Sequence, residues 1–231
     1  MVYSNFVTSI DGVAALGDGR SAGSVISAKA ISDRFLMGLL RACADAVLIG
    51  GGTLAATPGH HWTAEHVAPQ FAESFAALRR SLGRTGDPRL VVMSAHGKLD
   101  VKHVAMKGGA TVVTSEVGAK KLGGTLPEGC EVVVAGSGED VDIPRALDAL
   151  RGRGLNVVLT EGGPTVMGHL LRAQVLDEMF LTVSPVLAGR DGEERLGMVE
   201  GVELLPAAGV WSRLLSARRH GDYLFLRYGL S

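Results

Sequence analysis

Three glycine-rich turns are where this sequence could gather chemistry. Gly50-Gly51-Gly52-Thr53 follows the apolar run Ala46 to Ile49. Glu161-Gly162-Gly163-Pro164-Thr165 follows Val157 to Thr160. Ala135-Gly136-Ser137-Gly138 closes a run that begins at Val132. Glycine lets a backbone approach a ligand closely, and free N–H groups at a following helix start hold phosphate oxygens. In a parallel sheet such turns share one edge, at the carboxyl ends of the strands. Any one of them is ordinary strand-to-helix chain reversal. Together they point to a ligand with phosphates, most simply a dinucleotide.

Other chemical signatures are missing. No GxGxxG opens the first strand–helix unit and no GxxxxGK[ST] occurs, so the Rossmann and P-loop fingerprints are absent. HExxH, GxSxG, and HxE with a later PCxxC are absent too. His60, His61 and His66 share one loop without carboxylates or cysteines at ligand spacing, so no metal site is expected.

The elements that must position these turns alternate. A first strand spans Val2 to Ser9 and breaks at Asp11-Gly12, before a polar loop from Gly17 to Gly23. From about Lys29 to Ala42 the residues Ile31, Phe35, Leu36, Leu39 and Leu40 recur at helical spacing. Residues 57 to 69 read as loop, and Phe71 to Leu82 as helix. Strands follow at Leu90 to Ser94, Thr111 to Thr114 and Val132 to Ala135, with loop or a short helix in Gly118 to Gly129. Ile143 to Arg151 reads as a helix, with Pro144 in its first turn. The turn at Glu161 leads into a helix through Leu171. Strand–helix alternation of this kind predicts a mainly parallel sheet flanked by helices. The tail runs Met179 to Val183, Leu214 to Ala217 and Tyr223 to Tyr228 have no full helix between them, so the sheet should end antiparallel. One domain over residues 1–231, with no linker, is expected.

Composition narrows the function. With 46% hydrophobic and 20% charged residues, the 231-residue chain can bury a full core. Its formal net charge of -1 excludes an obvious nucleic-acid binder. Cys43 and Cys130 are too few for a disulfide scaffold and read as buried thiols. There is no secretory leader pattern and no apolar run of membrane-spanning length. A cytoplasmic protein that does not engage membranes is the expectation.

Four motifs, in order, carry a resemblance. Ser9-Ile10-Asp11-Gly12 resembles the "SLDG" start of the riboflavin-biosynthesis reductase domain. Leu39 to Thr53 is similar to its "LRA…ADA(I/V)L(I/V)GxGT" block. Glu161-Gly162-Gly163 matches its "EGG". Asp177-Glu178 with Ser184 to Gly189 resembles its "DE…xxPxLxG" segment. The resemblance implies a dihydrofolate-reductase-like α/β fold, NADPH as cofactor, a homodimer, and reduction of the ribosylamino group of a pyrimidine phosphate to a ribitylamino group. The deaminase motif often fused ahead of this domain is missing, so the chain reads as a stand-alone reductase.

Roles carried across are expectations. Gly50, Gly51, Gly52 and Thr53 would contact the cofactor. Gly162, Gly163, Pro164, Thr165 and Val166 would cradle its pyrophosphate. Ser94 would lie near the adenosine ribose, with Lys98 beside the 2′-phosphate, and Val7 would approach the nicotinamide. Ser21, Arg41, Glu161 and His61 would contact substrate. If a side chain moves a proton, Glu161 and Asp11 are the candidates, although Asp11 beside Gly12 is equally a turn-former. Two departures bear on the substrate. Where the family has "DNPxLxxR", this chain reads Ala55-Ala56-Thr57-Pro58-Gly59-His60-His61. His60, His61 or Arg20 would then replace the missing phosphate ligand. Asn5 stands where a lysine is common. A dihydrofolate- or pterin-type reductase, and a non-catalytic nucleotide-binding protein on the same fold, remain alternatives.

Overall fold

The computed structural model describes residues 1–17, 22–190, 195–206 and 209–230. Seven short runs rich in valine, leucine and threonine lie side by side as parallel strands: β1 (Val2–Thr8), β2 (Ala46–Gly50), β3 (Arg89–Met93), β4 (Ala110–Thr114), β5 (Glu131–Val134), β6 (Val158–Thr160) and β7 (Glu178–Val183). Two antiparallel strands, β8 (Arg213–His220) and β9 (Tyr223–Gly229), complete the sheet in the order β5-β4-β3-β2-β6-β1-β7-β9-β8. The mainly parallel sheet with an antiparallel end is the architecture the alternation predicts. It is the α/β arrangement of dihydrofolate-reductase-like proteins.

Parallel strands are covered on both faces, so their runs are continuously apolar rather than alternating. All of β2 is buried. Its side chains divide between two cores: Val47 and Ile49 join the cluster on one face, Ala46 and Leu48 the cluster on the other. The second cluster lies under the helices α7 (Ile143–Arg151) and α8 (Pro164–Arg172). The remaining helices are α1 (Ala22–Ile26), α2 (Ile31–Cys43), α3 (Gly51–Ala56), α4 (Ala64–Val67), α5 (Ala72–Ser81) and α6 (Glu116–Leu122).

Strand order decides where a ligand can sit. The chain leaves β1, builds β2 to β5 outward, and returns to insert β6 between β1 and β2. Connections leaving β1 and β2 therefore part company and open a crevice at the carboxyl ends of β1, β6 and β2, as at other topological switch points. Two of the glycine turns, after β2 and after β6, open onto it. The third, at Gly136, has another task. It adopts φ +136, and a Cβ there would collide with Asp140 O, so the glycine serves a tight turn before α7.

Helix α2 forms the roof of the crevice. Its C-terminus would expose carbonyls that no helical N–H can reach. Arg79 of α5 satisfies them: one terminal guanidinium nitrogen donates to Arg41 O, Ala42 O and Ala44 O at 3.3, 3.1 and 2.7 Å. A cation at a helix C-terminus is also the favourable sign. The two helices touch at Gly38, where a Cβ would lie 2.6 Å from the buried Phe75 ring.

Some local expectations change. Residues 57 to 69 are not all loop: Thr63 accepts from His66 N–H and starts the short α4. The glycine turn after β2 winds directly into α3, and Ala22 and Gly23 already belong to α1. Cys43 and Cys130 are half-buried rather than buried. Gly38→Ala tests the helix contact. Helix propensity alone would stabilise by about 1 kcal/mol. Overpacking against Phe75 should win and leave a net loss of about 1–2 kcal/mol. A denaturation midpoint above wild type would show that the two helices are not in tight contact there.

Candidate active site

The crevice is a cavity of about 660 Å³. Asn5 and Val7 of β1 form its floor, Asp33, Arg34, Met37 and Arg41 of α2 its roof, and Gly52, Thr53 and 161–165 one wall. His60, Trp62 and His66 close another side. The α2 positions lie on one helical face by spacing. Side-chain alternation puts Tyr3, Asn5 and Val7 on the face of β1 beneath α2, and Tyr3 OH donates to Leu40 O of that helix at 2.7 Å. Register with β7 adds Thr182, opposite Val7, to the same face.

Arg41 is the best-anchored side chain in the site. Its Nε and Nη2 donate to both oxygens of Glu161 at 2.8 and 2.7 Å. Nη1 donates to His61 O and Thr63 O at 3.2 and 3.0 Å, and Nη2 also donates to His60 Nε2 at 3.1 Å. A guanidinium has five N–H donors. All of them are used, and the residue is 1% exposed. Arg41 therefore has no donor left for substrate. It is the tie that holds α2, the β6 turn and the 57–63 loop around the cavity. Glu161 lines the cavity, but both its oxygens are engaged in that tie. Arg41, with every donor committed, positions the site and cannot make the substrate contact expected of it, whereas Glu161 accepts one bond on each oxygen, lines the cavity and keeps acceptor capacity there.

The histidines also differ from expectation. Arginine only donates, so His60 Nε2 accepts and the ring is neutral. Burial, reinforced by Arg41, lowers its pKa to about 3. A neutral imidazole is a poor counter-ion for phosphate. His61 is exposed, its carbonyl taken by Arg41, and it does not line the cavity. His66 does line it, and burial followed by the neighbouring His61 lowers its pKa.

Asp11 stands apart. Its carboxylate accepts from Ser9 Oγ and from the backbone N–H groups of Ala188 and Gly189 at 3.0 and 2.8 Å. The Ser9 bond first, then these amides, lower its pKa to about 2. Asp11 is a loop clamp outside the cavity wall, and a carboxyl so acidic is no proton donor at neutral pH. Ser21 and Arg20 lie outside the described residues.

The glycine positions separate by what a side chain would meet. At Gly50 and Gly162 a Cβ would press on Val166, 3.0 Å away in both cases, so these glycines and Val166 let two turns pack closely. At Gly51 it would meet Lys98 O at 2.7 Å. Gly52 has nothing within 4 Å and faces the cavity. Its lack of a side chain keeps space open. The adjoining first turn of α8, with Gly163 as N-cap and Pro164 at its start, presents N–H groups without helical partners. Ser94 Oγ donates to Lys98 O at 2.9 Å, which sets both residues beside Gly51 at the end of β3 but not in the cavity wall.

Sequence reasoning missed Asp33, Arg34 and Asn5 as a group. Asp33 is a carboxylate only 4% exposed on the cavity wall. Burial raises its pKa, while the hydroxyls of Thr182 and Ser27 pull the other way. Among the described residues Arg34 is the cavity-lining guanidinium without an ion pair. The signal was available in the helical phase of Asp33 and Arg34 with Arg41. No group of three or more potential metal ligands exists among the described residues, and no helix there is long and apolar enough to cross a membrane.

Known proteins share this fold. A 2,5-diamino-6-ribosylamino-4(3H)-pyrimidinone 5′-phosphate reductase of Aquifex aeolicus is 31% identical over 138 residues, 53% of this chain and 61% of that one. A pyrimidine reductase-like protein of Corynebacterium diphtheriae superposes over 100% of this chain and 91% of its own, at 22% identity and a TM-score of 0.74. A deaminase/5-amino-6-(5-phosphoribosylamino)uracil reductase of Thermotoga maritima covers 100% of this chain and 56% of its own, at 18% identity and a TM-score of 0.68. The RibD C-terminal domain model matches residues 1–217, and the chain belongs to that family.

Proposed function

We propose that this protein is a cytoplasmic, NADPH-dependent reductase of a ribosylamino-pyrimidine 5′-phosphate. The observation that carries the reading is the single cavity shared by two kinds of wall. One wall, made by Gly52, Thr53 and the start of α8, suits a dinucleotide. The other, made by Asn5, Asp33 and Arg34, suits a polar heterocycle with an anionic tail.

NADPH, when bound, supplies the hydride that takes the ribosylamino group to ribitylamino. Gly163, Thr165 and Val166 offer backbone N–H groups to the pyrophosphate at the positive end of α8. Gly52 leaves the volume that the cofactor occupies, and Thr53 offers a hydroxyl beside it. Lys98, with Ser94, stands where a cation would favour the 2′-phosphate. Val7 forms floor beneath the nicotinamide. Arg34 takes the place of the family's missing arginine as counter-charge for the substrate phosphate. The proton on the reduced product need not come from a side chain; of the two carboxylates considered, Glu161 lines the cavity, whereas Asp11 is held in its loop clamp outside it.

Three measurements test this. Fluorescence titration should show NADPH binding more tightly than NADH. Gly52→Val should leave the melting temperature near wild type and weaken NADPH by at least ~10-fold, since a Cβ there meets no protein atom within 4 Å and the added methyls fill ligand space. Lys98→Gln should weaken NADPH by about 5- to 10-fold and NADH hardly at all, given the worth of a charge-assisted contact. Binding of neither nucleotide by wild type would end the reductase reading.

Arg34→Gln should raise KM for the phosphorylated pyrimidine about 10-fold or more with little change in NADPH affinity, because the lost contact is to an anion. Steady-state kinetics with the phosphate ester and its dephosphorylated analogue would show it. Turnover of dihydrofolate in preference to either would replace the pyrimidine substrate by a pterin.

A homodimer through the antiparallel end completes the proposal. Strand β8 is the last of the sheet and is exposed along nearly its whole length. Trp211 before it is 87% exposed, and Leu214, Leu215 and Leu224 are exposed beside it. Uncovered edges of this kind recruit another chain. Sedimentation should give twice the chain mass of 24.1 kDa, and the pair Trp211→Glu, Leu214→Glu should give one chain mass.

A further inference from the structure

Asp33 is a buried carboxylate that the cofactor and phosphate contacts leave unused. Carboxylates are seldom this buried unless paired. No lysine or arginine forms an ion pair with it among the described residues. Ser27 and Thr182 bring hydroxyls toward it from the end of α1 and from β7. Arg34 is the nearby cation and Glu161 the nearby anion. Arg41, His60 and His66 are the other ionisable groups of the same cavity, and Arg41 is fully committed to Glu161, His60 and the 57–63 loop. Below Asp33, on the cavity floor, Asn5 is 8% exposed, and its carboxamide forms no hydrogen bond to a described residue.

The relatives divide over the ring that is reduced. The Aquifex aeolicus protein is named for a 2-amino-4-pyrimidinone, the Thermotoga maritima protein for a uracil. The two rings differ at C2. The first presents an exocyclic amino group beside a ring N–H, two parallel donors. The second presents a carbonyl oxygen beside a ring N–H. A carboxylate accepts two parallel N–H bonds and offers nothing to a carbonyl oxygen.

We propose that Asp33 is the specificity-determining residue of this site, accepting from the ring N–H and 2-amino group, so that the protein takes the 2-amino-pyrimidinone ring and rejects the 2,4-dione. This deepens the pyrimidine-reductase reading and rests on it. Burial of the site makes the choice sharp, because the dione would leave one carboxylate oxygen facing another acceptor away from water. Ionisation gives the choice a pH dependence. Burial raises the pKa of Asp33, so the accepting form prevails above that pKa. Below it the protonated group could donate to the dione carbonyl, and discrimination should fall with falling pH.

The test compares the full-length protein on both ribosylamino-pyrimidine 5′-phosphates, with wild type and Asp33→Asn. Wild type should favour the 2-amino ring in kcat/KM by at least ~30-fold, in the range that a missing hydrogen-bond partner enforces. Asparagine offers one acceptor and one donor, which matches the dione edge. Asp33→Asn should therefore erase or invert the preference, flatten its pH dependence, and leave NADPH affinity within about twofold, well below the worth of a direct contact. A wild-type preference for the dione, or a preference unchanged in Asp33→Asn, overturns the assignment. If wild type turns over neither ring, the reductase reading fails instead. Equilibrium binding then decides for Asp33 by itself. Isocytosine should bind wild type more tightly than uracil, with the order lost in Asp33→Asn, and equal wild-type binding of the two rings overturns the role.

Discussion

The buried Arg41–Glu161 pair is the constraint on which the site depends. The two residues are far apart in sequence and belong to different elements, one to the roof helix and one to the turn after the central strand. A lone guanidinium at 1% exposure would be among the costliest groups to bury. Its full set of partners offsets that cost only in one arrangement of helix, turn and loop. Such a pair adds little to stability compared with an apolar replacement. Its value here is geometric. It fixes the distance between α2 and the glycine turn, and so the width of the cavity between them.

A second layer holds that arrangement in place. Arg79 locks the end of α2 by bonding its last carbonyls. His103 donates to Thr57 O at 2.9 Å while its other ring nitrogen accepts from Ala105 N–H, and it pins the start of the histidine loop. Trp62, 5% exposed, fills the space between His60 and His103. The loop that sequence reasoning treated as irregular is thus held by buried side chains at both ends. His60 serves there as a neutral acceptor and packing surface, not as a cation.

Strand and helix order was legible because it depends on local patterns: continuous apolar runs for parallel strands, three- and four-residue spacing for helices, glycine where strands end. The wall proposed for the cofactor was legible for the same reason, since a strand, a glycine turn and a helix start are contiguous in sequence. The wall proposed for the substrate was not. Asp33, Arg34 and Asn5 come from two elements, and only the insertion of β6 between β1 and β2 sets the floor under the roof. Arg41 was singled out by its motif, but its role depends on a count of donors, and its partners lie 19 to 120 residues away. Asp11 matched a motif equally well and turned out to clamp a loop. A motif places a residue in a family; the hydrogen-bond inventory says what it has left to give.

That inventory also explains the charge pattern of the cavity. The strongest cation and the turn's carboxylate cancel each other, and His60 is held neutral by burial and by Arg41. Among the described residues, what faces a ligand then includes an open glycine surface and a helix start, the Arg34 guanidinium, the buried Asp33 carboxylate, the Asn5 carboxamide and His66. Electrostatics inside such a space are little screened by salt, so each remaining group has a large influence on what is accepted. A site that neutralises most of its own charge can discriminate between rings that differ in one exocyclic atom, because a buried carboxylate assisted only by hydroxyls still favours a ligand that donates to it. The missing family arginine and the altered lysine position therefore do not empty the pocket of function. In the proposed function polar recognition moves onto α2, a helix that the Arg41–Glu161 pair holds in position.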